Sequence, residues 1–342
     1  MDKSEIHIIG SIAHILDAGV GAPFFSNQKL FIGSDFSEFL REHITKIATS
    51  DDAKACSFYE NESRVFQILK DFSEENFVSV SLDIAAHLFE IMKENIDIPA
   101  ADLMLVHYKY HEKEYLAILK MNYKVGFTHQ SQPADDGKDL VDIIPFRALL
   151  PQSGQKLSEA AIIDLETKTL SVVEKKFTIN GVKTNYFSKM FLNCSSSLSP
   201  KSKLAIVNRV IEEVRDDFTP DLDTKQVAKE RMETKKAIFR ELEKTGTIDV
   251  PKVIEKVFED SPQMAQAAKE KVEKYNIDKA PIAPKSDRVA KKYGTQVVAT
   301  DTGVELKIPM DQYEDANAIE FIQEEDGRLT IVIKNVGSIV AR

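Results

Sequence analysis

The stretch Asp102–Tyr123, DLMLVHYKYHEKEYLAILKMNY, decides the fold. Two apolar runs, Leu103–Tyr110 and Tyr115–Met121, flank the short polar interval 111–114. Runs of this length around a short polar connection predict a β-hairpin. Both arms are apolar on successive positions near their middles, so both faces must be covered. That predicts central strands with something packed on each side. The connection lacks an Asn-Gly or Asp-Gly pair, which leaves its turn geometry open.

Upstream, Ile6–Leu16 reads as a first strand and Lys29–Ile32 as a second, short one. Ser34 caps a helix to about Ala48, with Phe36, Phe39, Leu40, Ile44 and Ile47 on one face. A helix is predicted over 63–70. Another spans 76–95, where Val80, Ile84, Leu88 and Ile91 repeat at helical spacing and Pro99 ends the segment. Downstream, Tyr123–Lys138 holds Gly126, Pro133 and Asp136-Gly137 and reads as an exposed loop. Leu140–Leu149 is apolar but interrupted by Pro145. A second hairpin pairs 160–165 with 170–177. A short helix is expected from Thr184 to about Asn193, and Cys194–Ser199 reads as a linker.

Ser199-Pro200 then opens a helix to about Phe218, with Pro at the first helical position. Thr219–Asp223 breaks it, and a long helix follows over 224–244. Two more are expected at 251–259 and 262–275, after which Ala280-Pro-Ile-Ala-Pro284 connects to four short strands at 296–299, 304–308, 319–323 and 329–336. The last two should join at Glu325-Asp-Gly-Arg328. The fold class is α+β: a mixed N-terminal domain (1–198) with central β-hairpins, a helical basic middle (199–280) and a small C-terminal β-rich unit (281–342).

Several of these stretches together resemble the bacterial nucleoid-associated protein family, the NdpA-like proteins. They are His107-Tyr-Lys-Tyr110, Glu114–Asn122, the opening Ile6–His14, Leu140–Ile143, Ala161–Leu165 and Tyr186–Cys194. The resemblance covers most of the chain in the same order. It departs before Cys194, where glycine is expected and Asn193 stands. It implies association with DNA on the bacterial chromosome, and no motif in it is catalytic.

The composition agrees with a globular protein: 43% hydrophobic and 29% charged over 342 residues. No run of 18 apolar residues and no basic-then-apolar leader occurs, which predicts a cytoplasmic protein with no membrane association. Cys56 and Cys194 are too few for a disulfide framework or a cysteine-rich zinc site. The net charge of −10 is unevenly spread. Residues 1–150 hold 24 acids and 14 bases, residues 151–300 hold 22 and 27, and residues 301–342 hold 9 and 4. Only the middle can attract a phosphate backbone. The acidic first half would repel DNA and offers itself to a protein partner.

Two basic groupings carry the binding expectation. On the 224–244 helix, Lys225, Lys229, Lys236, Arg240 and Lys244 fall within about 100° of arc. Between 269 and 292, Lys269, Lys271, Lys274, Lys279, Lys285, Arg288, Lys291 and Lys292 face only Glu270, Glu273, Asp278 and Asp287. Aromatic interleaving is slight and no helix-turn-helix or zinc-finger pattern occurs, so phosphate contact to double-stranded DNA without base readout is the consistent picture. A homodimer would double such a footprint.

Catalysis is not expected, and neither is a cofactor or a metal. Gly19-Val-Gly21 lacks a dinucleotide fingerprint, and His107 and His111 would lie roughly 13 Å apart on a strand. One pattern has catalytic shape: Asp164, then Glu174-Lys-Lys176 on the returning strand, the arrangement of a Mg²⁺-dependent nuclease. Its alternative reading is charge decorating a hairpin edge.

Overall fold

Leu103 and Leu105 belong to one buried cluster and Met104, Val106 and Tyr108 to another. This alternation is the consequence of a strand's two-residue period in a sheet covered on both faces. The computed structural model describes residues 1–19, 21–132, 140–222, 224–324 and 328–340. The later part of the loop expected over 123–138 and the turn expected at Glu325–Arg328 fall largely outside the described residues. So do Val20 of the Gly19–Gly21 segment and Asp223.

The chain divides into two compact units, Met1–Ser199 and Pro200–Arg342. In chain order the first contains β1 (Ile6–Leu16), α1 (Ser34–Ala48), β2 (Lys54–Phe58), α2 (Arg64–Leu69) and α3 (Phe77–Glu94). Then come β3 (Ala101–Tyr110), β4 (Lys113–Asn122), β5 (Lys124–Gln132), β6 (Leu140–Leu149), β7 (Glu159–Asp164) and β8 (Thr169–Glu174). Short strands β9 (Phe177–Ile179), β10 (Val182–Thr184) and β11 (Cys194–Ser196) close it.

Seven strands form one antiparallel sheet in the order β1-β3-β4-β7-β8-β2-β11, with the β3–β4 hairpin inside it. Leu40, Ile44 and Ile47 of α1 cover one face. Val80, Ile84, Leu88 and Met92 of α3, with Val65 and Leu69 of α2, cover the other. The β3–β4 turn is only His111-Glu112, with Tyr110 paired to Lys113 and His111 in the left-handed region at φ 53°. Asn193, standing where the family resemblance leads one to expect glycine, has φ 45°. Asparagine tolerates that region better than other residues with a Cβ, so the departure keeps the backbone conformation.

Several expectations need correction. No strand forms at Lys29–Ile32; Leu30 only donates its N–H to the Ser11 carbonyl, at 2.8 Å. Lys124–Gln132 is a strand rather than a loop, because it pairs with β6, and β6 runs unbroken through Pro145. The helix expected over 184–193 is a π-helical turn over Phe187–Phe191. Cys194–Ser196 is an edge strand paired to β2, not linker. β2 itself has no counterpart in the sequence reading.

His14 shows how a polar side chain is accommodated in this core. It is fully buried, the Ser26 N–H donates to its Nδ1 at 3.2 Å, and its Nε2 lies 3.1 Å from Ser81 Oγ. Ser81 uses its own hydrogen on the Val78 carbonyl, so His14 is the neutral tautomer with the proton on Nε2. Burial lowers its pKa from 6.5 to about 4. The unfolded chain therefore takes up this proton at a higher pH than the folded one. The stability that the neutral ring contributes is complete above pH 6.5 and is lost as pH falls through about 4, a change of about 3 kcal/mol. Urea unfolding of the wild type and His14→Gln across pH 7 to 4 should show a steeper fall for the wild type. Parallel curves would contradict this assignment.

The second unit contains α4 (Pro200–Phe218), α5 (Thr224–Thr245), α6 (Val250–Val257), α7 (Pro262–Glu273) and α8 (Asp287–Tyr293). β12 (Thr295–Ala299), β13 (Glu305–Pro309), α9 (Met310–Glu314), β14 (Ile319–Gln323) and β15 (Leu329–Ile333) follow. Pro sits at the start of α6 and α7, and the Asp249 side chain accepts the Lys252 N–H to cap α6. Val207, Val210, Ile211 and Val214 of α4 pack with Ile238, Val253, Ile254, Val272, Val289 and Tyr293 in one core. The short helix α8, absent from the sequence reading, is thereby fixed to the helical core. β12–β13 and β14–β15 are separate two-stranded pairs.

Candidate nucleic-acid interface

Helix α8 is capped by Ser286, whose Oγ accepts the Arg288 N–H, and anchored by buried Val289 and Tyr293. Its remaining positions face solvent. Arg288, Lys291 and Lys292, at i, i+3 and i+4, share one exposed arc. Among the described residues none of the three is in an ion pair; the Lys292 ammonium lies 5.3 Å from the Tyr293 ring centre.

Beside α8 is a cleft of about 190 Å³ lined by Asn208, Ile211, Glu212 and Arg215 of α4, Arg231, Thr234 and Lys235 of α5, and Lys292 and Tyr293. Arg215 is almost buried, 2.9 Å from Glu230 and with its guanidinium 5.7 Å from the Phe258 ring. Its Nε and the Glu230 Oε2 approach without the alignment of a hydrogen bond. Arg231 pairs with Glu212 at 3.0 Å. Lys235 donates to the Thr295 carbonyl. Its pKa is lowered, first by burial and then by the Lys292 charge. Asn208 Nδ2 donates to the Tyr293 hydroxyl at 2.8 Å, which leaves that hydroxyl's own hydrogen for another acceptor. Four cations thus face two carboxylates, Glu212 and Glu230. The excess positive charge beside N–H and O–H donors suits an anion of phosphate size.

The structure sorts the sequence-predicted basic residues. Lys236 lies 3.2 Å from Glu233 and 3.8 Å from Glu314, and Arg240 pairs with Glu243, Asp311 and Glu314. That part of the stripe is matched by the acids of α9. Lys269 pairs with Glu255 at 2.6 Å, and Lys271 with Asp217 at 2.8 Å. Lys229, Lys244, Lys274 and Lys285 are exposed. Lys225 lies in α5, but its side chain is outside the described residues. Lys292 alone of the predicted set lines the cleft.

Arg215, Arg231 and Lys235 were missed. Arg231 and Lys235 lie on the side of α5 shared with Ile238 and Leu242, which helical periodicity assigns to the core. Long basic stems along apolar surface with the charge carried past it are the missing ingredient.

The nuclease-like residues are not brought together. Asp164 Oδ1 accepts the N–H groups of Glu166 and Thr167 and so closes the β7–β8 turn. Glu174 pairs in register with Glu159, five residues further along the hairpin, about 17 Å away. Its fully buried carboxylate takes both the N–H (3.0 Å) and the hydroxyl (2.7 Å) of Ser188, and Lys54 at 2.8 Å. Lys176 is exposed beyond β8. Among the described residues no group of three or more His, Cys, Asp or Glu side chains is placed to hold a metal ion. Among them, too, no helix is long and apolar enough to cross a membrane.

A comparison with curated proteins finds no match. The family model of nucleoid-associated protein YejK matches residues 12–339, spanning both units and nearly the whole chain. The chain belongs to that family of bacterial nucleoid-associated proteins.

Proposed function

We propose that the second unit binds double-stranded DNA through its phosphates, in the bacterial cytoplasm and with little regard to sequence. The observation that carries this reading is the arc of Arg288, Lys291 and Lys292 beside a cleft with excess positive charge. Membership of a nucleoid-associated family supports it. Contacts to phosphate fix a protein on the duplex without reading bases. The groups offered here are ammonium and guanidinium heads, with little aromatic surface between them. The acidic first 150 residues turn that end of the chain away from DNA and leave it open to a basic protein partner. We assign no reaction to the protein.

Fluorescence anisotropy with duplexes of unrelated sequence tests the proposal. Dissociation constants should agree within about threefold. With about four phosphate contacts per chain, affinity should fall on the order of 100-fold between 50 and 200 mM salt, linearly on logarithmic axes. No binding at 50 mM salt, or a strong preference for one sequence with a flat salt response, would contradict it.

A further inference from the structure

The cleft between α4, α5 and α8 offers more than a backbone phosphate needs. One wall is Tyr293, only 3% exposed. Its hydroxyl accepts from Asn208 Nδ2 and keeps its own hydrogen, which no acceptor among the described residues takes. Two of the cleft's cations are already matched, Arg231 by Glu212 and Arg215 by Glu230. The surplus is Lys235 and Lys292. Lys235 gives the Thr295 carbonyl one of the three N–H donors of an ammonium, so donors remain on both. A water needs only about 10–15 Å³ of such space. The 190 Å³ here takes a phosphoryl group and part of the sugar that carries it.

Charge and valence choose among phosphates. A diester within a strand carries one negative charge and is tied to a sugar on each side, so it lies across the mouth of the cleft. A monoester carries about −1.5 to −2 at pH 7, has three free acceptor oxygens and is tied on one side only, so it enters end-on. Building on the phosphate-binding reading of the second unit, we propose that the cleft takes a phosphate monoester, either the terminal phosphate of a DNA strand or that of a free nucleotide. Lys235 and Lys292 balance its two charges. The Tyr293 hydroxyl donates to the third free oxygen, which a diester lacks.

Anisotropy of the full chain with one short duplex, carrying either 5′-phosphates or 5′-hydroxyls, tests this near 0.1 M salt. The phosphorylated duplex should bind about tenfold more tightly. Tyr293→Phe, which keeps the buried ring, and Arg231→Gln, which leaves the Glu212 charge unmatched, should each bring that ratio below about threefold. Lys291→Gln, on the exposed arc, should weaken both duplexes alike and leave the ratio where it was. Calorimetric titration with thymidine 5′-monophosphate, against thymidine, separates the two sources. A Kd as low as that of the phosphorylated duplex identifies the free nucleotide as the occupant, and a higher one the strand end. Equal affinity for the two duplexes together with no binding of the monophosphate overturns the proposal and leaves the DNA reading standing. A preference that survives both Tyr293→Phe and Arg231→Gln is attraction of charge alone and overturns it too. Monophosphate binding without any duplex binding would instead sink the DNA reading and keep the cleft.

Discussion

Alanine at Glu174 is expected to lower the stability of the first unit by about 3–5 kcal/mol, on the order of 10 °C in its thermal transition. Four charges cross four neighbouring strands: Lys120 on β4, Glu159 on β7, Glu174 on β8 and Lys54 on β2. Lys120, Glu159 and the Glu174 carboxylate are fully buried. Burial holds the Lys120 pKa down at about 8 against the pull of Glu159, and pushes Glu159 up. Lys120 is satisfied by the Pro99 carbonyl at 2.8 Å and by Asn122, which in turn donates to Glu159 at 2.8 Å. Removing Glu174 leaves Lys54 and the Ser188 N–H without their acceptor and frees the π-helical turn. Glu174→Gln keeps an acceptor and should cost less. Asp164→Asn keeps the turn's acceptor and should cost under about 1 kcal/mol. Far-UV circular dichroism melts order the three, and a chain without tryptophan makes it the natural probe. Equal losses for Glu174→Ala and Asp164→Asn would contradict the structural role given to Glu174.

Replacing Lys235 and Lys292 together with glutamine should weaken duplex binding at least tenfold near 0.1 M salt. It should also flatten the logarithmic salt slope by about 2, since each phosphate contact contributes roughly 0.9. Lys236→Gln with Arg240→Gln removes the same charge from the same part of the chain. Those two side chains already face Glu233, Asp311 and Glu314, and exposed pairs of that kind contribute only about 0–1 kcal/mol. Their loss should change affinity less than about threefold and leave the slope alone. Anisotropy titrations at several salt concentrations separate the two pairs, with melts to check folding. A larger effect from Lys236 and Arg240 would move the binding face to the other side of α5.

The sheet's centre was legible because β1, β3 and β4 carry long apolar runs and β7 and β8 shorter ones, rich in β-branched residues and joined in pairs by short polar turns. Its flank was not. Lys54–Phe58 reads Lys-Ala-Cys-Ser-Phe, with Phe58 its one large apolar residue, and it becomes strand by pairing with β8, over a hundred residues away. β5 has Gly126 and five consecutive polar residues, 128–132, and owes its extension to β6. Pro145 is tolerated in β6 because that strand pairs on one side only. The proposed binding surface was half legible. Charge counting pointed to Arg288, Lys291 and Lys292, which lie on α8, whereas helical periodicity groups Arg231 and Lys235 with the core side of α5. Of the acids that match Lys236 and Arg240, Glu233 and Glu243 are local, whereas Asp311 and Glu314 come from α9, some seventy residues further on, which no local window detects.

Acetylation of lysines with and without bound duplex DNA, read residue by residue by mass spectrometry, tests the location of the DNA surface without altering the protein. Lys291 and Lys292 are expected to be protected in the complex, with Lys235 beside them. Exposed lysines of the first unit, such as Lys109, Lys113 and Lys176, should keep their reactivity. Protection of those first-unit lysines, with Lys291 and Lys292 still fully reactive, would contradict the placement of DNA on the second unit.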